Sequence, residues 1–242
     1  MIIAWFSCGC TSAVACKIAI RQYEDVRLFY IDVGGEHEDN IRFLGSCEEW
    51  FGKEITIVRN SNYKDHFDCL EKKGWGAMGS SCTLEMKKKV RWRIEDENPE
   101  YDGQVFGFDF SEKLRAMRFY EQYPKSKAIF PLIEHGLLKE ECLAIIERAG
   151  IELPAMYKLG YHNNNCIGCV KGGLGYWNKI RTDFPESFHR MAKIERERGF
   201  ASHKDKDGTP IFLDELNPNR GEFVKEIMPE CGLYCDLEFL GL

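Results

Sequence analysis

Two pairs of closely spaced cysteines and one small polar loop are the parts of this sequence best suited to chemistry. Cys166 and Cys169 are separated by two residues, and Cys231 and Cys235 by three. The first spacing lets two thiolates face one metal ion, and the second pair could complete a set of four. Gly168 and Gly232 let the backbone turn beside the thiols. Four thiolates suit tetrahedral zinc or an iron–sulfur cluster. A redox pair, or two unrelated pairs, is the plainer alternative. Cys82 is a competing ligand or a nearby free thiol. The loop is Ser7-Cys8-Gly9-Cys10-Thr11-Ser12. Placed between a strand and a helix, such a loop presents backbone N–H groups and two serine hydroxyls to an anion. It lacks the Gly-Lys-Ser/Thr ending of a nucleoside-triphosphate P-loop, and it could equally be only a tight turn.

The elements around these residues must position them. Met1 to Phe6 is an apolar run that reads as a buried strand, and Ala13 to Ala19 suits a helix with one buried face. Val26 to Ile31 reads as a second strand, ending in the acidic turn Asp32 to His37. Glu38 to Phe51 reads as a helix and Glu54 to Val58 as a third strand. Gln104 to Phe108 and the apolar segment Ala128 to Ile133 supply a fourth and a fifth. Ser111 is expected to cap a helix to Tyr123, and Gly150 to close one that begins at Lys139. This order predicts an α/β fold: a parallel-dominated sheet of about five strands in a three-layer α/β/α sandwich. The expected division is a nucleotide-type domain over residues 1–154 and an irregular, Cys-bearing region over 155–242. Ligands on such sheets bind beyond the carboxyl ends of the strands, where both polar loops fall.

Composition narrows the function classes. The chain has 242 residues, 44% hydrophobic and 30% charged, with a formal net charge of −6. A broadly basic nucleic-acid surface is therefore not expected, although Lys87, Lys88, Lys89, Arg91 and Arg93 form a local basic stretch. Arg91 and Arg93 flank Trp92 and could point together at a phosphate or sulfate; the stretch could also be a solvated face. No apolar run approaches ~20 residues, so no membrane span is expected. The 11 cysteines, an odd number without a secretion signal, fit a reducing, cytoplasmic setting. Cys16, Cys47, Cys69 and Cys142 fall in expected helices and read as packing, as do Phe43, Trp50 and Phe119.

The motifs taken together resemble a known family. Ser7-x-Gly9-x-x-Ser12 after an apolar strand resembles the pyrophosphate-binding loop of the PP-loop, or adenine-nucleotide alpha-hydrolase-like, superfamily. Tyr30 to Asp39 resembles the second-strand signature of the phosphoadenosine phosphosulfate (PAPS) reductase family. Cys82 to Lys87, Gly107-Phe108-Asp109 with Glu112, Lys113 and Arg115, and Pro131 to Glu134 add further matches. Tyr161 to Gly173 resembles a branch found among phage and bacterial PAPS-reductase-like proteins.

The resemblance implies an adenine nucleotide (PAPS, adenylyl sulfate or ATP) with phosphate or sulfate on Ser7, Gly9, Thr11 and Ser12. Adenosine would lie near Asp32, and Lys87 and Arg91 would contact the anion. It implies Cys231, in Glu230-Cys231-Gly232, and Cys82 as candidate catalytic thiols, with a thiol reductant or sulfur donor as partner. For the metal it favours a 4Fe–4S cluster on Cys166, Cys169, Cys231 and Cys235 over zinc. The implied reaction is reduction of an activated sulfate to sulfite. Thr11 stands where ATP pyrophosphatases of the superfamily carry Asp. Adenylylation of an acceptor for sulfur transfer, with a nucleic acid as one such acceptor, is the alternative. A non-catalytic nucleotide-binding module is the third reading.

Overall fold

The computed structural model describes residues 1–76 and 79–226. Along the chain, β1 (Ile2–Phe6) leads into α1 (Cys10–Gln22), β2 (Val26–Ile31), α2 (Asn40–Phe51) and β3 (Ile55–Val58). Next come α3 (His66–Lys73), a π-helical turn Thr83–Lys88, α4 (Lys89–Glu97), β4 (Gly103–Val105), α5 (Lys113–Gln122) and β5 (Ala128–Ile129). After the one-turn helix Pro131–Glu134, α6 (Lys139–Arg148), α7 (Leu174–Asp183) and α8 (Pro185–Arg198) follow. No helix among the described residues is long and apolar enough to cross a membrane.

The chain forms two compact units. The first comprises residues 1–32, 37–59 and 90–164, and the second 33–36, 60–89 and 165–242. In the first unit the five strands make one parallel sheet in the order β3-β2-β1-β4-β5 with helices on both faces, a three-layer α/β/α fold. Ile2 pairs with Val26 on one side and with Gly103 on the other. Every β1 residue is buried, which explains its unbroken apolar run: a central parallel strand is covered on both faces. Phe6, Leu28, Phe43, Cys47, Val105 and Ile146 share one core. Strand order reverses between β1 and β4, so the loops leaving these strands open on the switch-point crevice where α/β sheets take ligands.

Three local expectations differ from what forms. The Ala128–Ile133 segment is strand only to Ile129, because Pro131 has no N–H for a ladder and instead opens a helical turn. Asp109, not Ser111, makes the side-chain cap, and it caps the short 3-10 turn Phe110–Glu112 that leads into α5. Asp109 Oδ1 accepts from the Ser111 amide (2.7 Å) and hydroxyl (2.6 Å). Cys10 to Ser12 belong to α1 itself, so the helix starts inside the polar loop.

Asp39 ties α2 to a later segment of the same unit. Its carboxylate accepts from Arg42 Nε (2.6 Å) and Nη2 (2.8 Å) and from the Ala155 amide (2.8 Å). The Arg42 hydrogen bond, helped by the Ala155 amide and the nearby positive charges, holds this carboxyl below its ordinary value against the opposing effect of burial. A depressed native pKa contributes stability that is complete above the unfolded value, about 3.9, and is lost as pH falls through the native one. Asp39→Asn should therefore cost about 1 kcal/mol at neutral pH. Chemical denaturation of both proteins from pH 7 to pH 3 should show that difference shrinking only below about pH 4. A difference that stays constant to pH 3 would remove the charge from the account.

Candidate functional site

The Ser7–Ser12 loop is built by the end of β1 and the start of α1. Gly9 is the N-cap of α1 and carries no side chain to cap it, and no acidic residue stands in the first turn. The positive end of a helix of 13 residues thus meets no carboxylate of its own. Ser12 braces the loop. Its Oγ donates to Gly9 O (2.9 Å) and lies 3.0 Å from both Ser7 N and Ser7 Oγ, which donate to it. Ser7 is exposed and Thr11 and Ser12 are buried.

Cys8 has φ +57, in the left-handed region that costs a residue with a Cβ about 1 kcal/mol. Buried amides hold it there. Asn164 Nδ2 donates to Cys8 O (2.7 Å) and to Asn40 Oδ1 (2.7 Å), and Cys8 Sγ lies 3.7 Å from Asn40 O. Two glycines frame the loop for different reasons. A Cβ on Gly107, just beyond β4, would stand 2.6 Å from Ser12 Cα and 2.7 Å from Ser12 N. A Cβ on Gly9 would meet nothing closer than Tyr157 Oη at 3.5 Å. The fold itself therefore demands glycine at 107 and not at 9, where a Cβ on this buried residue would meet only ordinary contacts. Asp32, at the carboxyl end of β2, has its Oδ2 3.5 Å from Arg59 Nη1.

Arg91 lies elsewhere in this unit. It is 1% exposed, with Nε 3.2 Å from Glu95 Oε1 and its guanidinium 5.2 Å from the Tyr123 ring centre. Glu95 also accepts from Gln104 Nε2 (2.9 Å), and Gln104 accepts from Trp5 Nε1 (2.8 Å). With Tyr101 and Ser126, Arg91 and Glu95 line a pocket before the amino ends of β4 and β5, whereas the Ser7–Ser12 loop follows the carboxyl end of β1. Arg91 and Arg93 do not point together. On a helix, residues two apart diverge, and the Arg93 side chain is 50% exposed beside Glu97.

The second unit holds the described chemistry-bearing cysteines. Cys82, Cys166 and Cys169 line one cavity with His66, Ser80, Thr83 and Lys87. Cys166 and Cys169 are buried, and Cys82 is partly exposed with its Sγ 3.3 Å from Ser80 Oγ. Lys171 Nζ reaches Thr83 Oγ1 at 3.3 Å. Tyr176, 1% exposed, organises the Cys166–Cys169 turn: its Oη accepts from the Gly168 and Cys169 amides (both 3.0 Å) and donates to Cys166 O (3.2 Å). Cys231 and Cys235 lie outside the described residues. A thiol donor set suits a soft metal. The cavity, however, has only about 10 Å³ of open space, and among the described residues no three His, Cys, Asp or Glu side chains form a ligand set.

The remaining cysteines are packing. Cys16, Cys47, Cys69 and Cys142 are fully buried. Burial pushes the Cys16 and Cys47 thiols far above their ordinary value and Cys69 up to about 11, so all three stay protonated at neutral pH. Sequence reasoning missed Asn40, Asn164 and Tyr176. All three act across turns or long separations, and no local spacing marks them.

If the loop holds an anion, Ser12→Ala removes the brace and leaves the Ser7 amide and the Gly9 carbonyl without that partner. Affinity for ATP or PAPS should fall by about 1.5–3 kcal/mol in a calorimetric titration. Unchanged affinity for both would end the assignment.

Comparison with known proteins adds the fold. No protein-family model matches the chain. Two uncharacterized proteins of Methanocaldococcus jannaschii are similar to it. One is 23% identical over 203 residues, covering 81% of this chain and 42% of the relative. The other is 22% identical over 205 residues, covering 81% and 47%. The chain thus spans less than half the length of these relatives. Among solved structures, a phosphoadenylyl-sulfate (PAPS) reductase from Candida auris, in its phosphate complex, matches with a TM-score of 0.50 and 15% identity, over 68% of this chain and 80% of that one. The U34-tRNA thiolase NcsA from Methanococcus maripaludis, with its 4Fe–4S cluster, matches with a TM-score of 0.46 and 18% identity, over 81% and 71%. The chain therefore has a PAPS reductase-like fold.

Proposed function

We propose that this chain binds an adenine nucleotide at the Ser7–Ser12 loop and reduces an activated sulfate with its thiols. The observation that supports it most is the loop itself: a helix start at the switch point of a PAPS reductase-like sheet, capped by a glycine, with no acidic residue in its first turn and with Ser7 exposed beside it. The positive helix end and the Ser7 hydroxyl would hold the phosphate or sulfate. Asp32 stands at the neighbouring strand end, where a ribose or adenine donor would be met.

The second unit supplies the thiols. Cys82, the partly exposed one, would attack the sulfur of PAPS or adenylyl sulfate as thiolate. A sulfur–sulfur bond forms, and the sulfur–oxygen bond to the nucleotide phosphate breaks, its electron pair leaving with the phosphate. A second thiolate, from Cys166, Cys169 or Cys231, then attacks the Cys82 sulfur. A disulfide forms and sulfite leaves with the bonding pair; an external dithiol restores both thiols. Lys87, on the same cavity, would favour the thiolate and the incoming anion.

Incubation with PAPS and ATP separately tests this, with metal analysis of anaerobically purified protein alongside. Sulfite plus adenosine 3′,5′-bisphosphate is the expected result. AMP plus pyrophosphate from ATP would replace it with adenylylation ahead of sulfur transfer. Binding without turnover of either would leave a nucleotide-binding module.

A further inference from the structure

Val14, Lys17, Ile18 and Arg21 recur at the three- and four-residue spacing that lines up one face of α1. That face forms one wall of an open pocket of about 360 Å³ in the first unit. Trp50, near the end of α2, and Ile145, on α6, supply other walls, and His135 and Leu137 come from the segment just before α6. The apolar members continue the main core outward. Val14 is buried in it, while Ile18, Trp50, Leu137 and Ile145 pack on it and stay partly exposed.

The polar members are all basic. Lys17, Arg21 and His135 line the pocket and no carboxylate does, in a chain whose formal net charge is −6. Lys17 Nζ donates to Trp50 O and lies 5.1 Å from the Trp50 ring centre, which holds the ammonium at the pocket. Gln22 Nε2 lies 3.1 Å from His135 Nε2 and places that ring on the same rim. No ion pair engages Lys17 or Arg21 among the described residues. Burial and the Arg21 charge both pull the Lys17 pKa down. Like charges four residues apart destabilise a helix. Arg21 suits the last turn of α1, but that does not account for a second cation beside it or for the missing carboxylate.

We propose that this pocket is a binding site for a small amphipathic anion, with a carboxylate head on Lys17 and Arg21 and an alkyl or aryl body on Ile18, Trp50, Leu137 and Ile145. The volume is that of a small-molecule site, which starts at about 300 Å³. A carboxylate there offsets the repulsion between the two cations and takes charged hydrogen bonds from them. The apolar body covers side chains that water now touches. Arg21 stands about 13 Å along α1 from Ser12, so the pocket is separate from the nucleotide loop.

Octanoate is the probe, titrated calorimetrically into the full chain. Its size predicts one site per chain with a Kd of about 0.1–1 mM. Octanol lacks the charge and acetate lacks the body, and each should bind at least about tenfold more weakly. Arg21→Gln and Lys17→Gln should each weaken octanoate about tenfold, and Arg21→Glu should abolish its binding. Arg21 is exposed, so its variants should keep the fold, which urea melts check. Arg148→Gln, on α6 but outside the pocket, should match the native chain. Octanol or acetate binding as tightly as octanoate, native affinity in both Gln variants, or no heat at about ten times that Kd would overturn the proposal. So would a sedimenting dimer that Arg21→Glu dissolves, since a second copy would then be the occupant. No nucleotide is present, so these outcomes stand apart from the assays above.

Discussion

Replacing Gly107 by alanine is expected to destabilise the protein by about 2–3 kcal/mol and to abolish measurable nucleotide binding. The added Cβ would lie 2.6 Å from Ser12 Cα and 2.7 Å from Ser12 N, so backbone and not a flexible side chain must give way. Neither partner is free to shift. Gly107 leaves β4, which is paired to β1 from Ile2↔Gly103 to Ala4↔Val105. Ser12 sits in the first turn of α1, fixed by its hydroxyl to Gly9 and Ser7. Strain would pass directly into the loop that presents the helix end. Gly9→Ala is the counterpart. Its Cβ meets only ordinary contacts, so the denaturant midpoint should hardly change while nucleotide affinity falls. Urea melts and ATP or PAPS titrations of the two variants separate the roles. If Gly107→Ala binds nucleotide normally, the loop geometry described above is not what the ligand needs.

Tyr176→Phe should be the most damaging single-atom change in the second unit. Phenylalanine keeps the buried ring and removes an oxygen that serves two amides and one carbonyl. A buried backbone group left without its partner costs about 1–3 kcal/mol, so a total loss of about 2–4 kcal/mol is expected. The same change loosens the Cys166–Cys169 turn. Alkylation of these two thiols in the folded protein should accelerate well before global unfolding, while fully buried Cys142 stays protected. Native-like melting together with unchanged alkylation would show that the turn holds itself.

Much of the first unit was legible because its signals are local. An unbroken apolar run means a strand covered on both faces, and β1 and β2 formed where such runs stood. The Ser7–Ser12 loop was visible as small polar residues between strand and helix. Its support was not, since Asn164 meets Cys8 across 156 positions and no pattern announces a contact that long. The basic stretch left two readings open, and geometry decides between them for Arg91 and Arg93: strand-like alternation would put both on one side, whereas the helix that forms sends one inward and the other out. The Cys166–Cys169 pair was legible as spacing; Cys231 and Cys235 lie outside the described residues. What spacing left open was the partner of Cys166 and Cys169 on their cavity, for which Cys82 stood as a competing ligand or nearby thiol. That partner is Cys82, which stands alone in its stretch of sequence and is joined to the pair only by tertiary structure.

The second unit is assembled from residues 33–36, 60–89 and 165–242, while the first has all its segments once residue 164 is made. On a ribosome this sets an order. The stretch bearing Cys69 and Cys82 emerges early and then waits for Cys166 and Cys169. At ordinary elongation rates the gap from Cys82 to Cys166 is roughly 4–17 s. During it the sheet can close, but the thiol cavity has no second wall. The nascent chain therefore exposes Cys82, and Cys69 that will later be buried, just when no native neighbour can shield them. Slower translation across residues 90–164 should raise adventitious oxidation at Cys82 and Cys69 without altering the finished sequence.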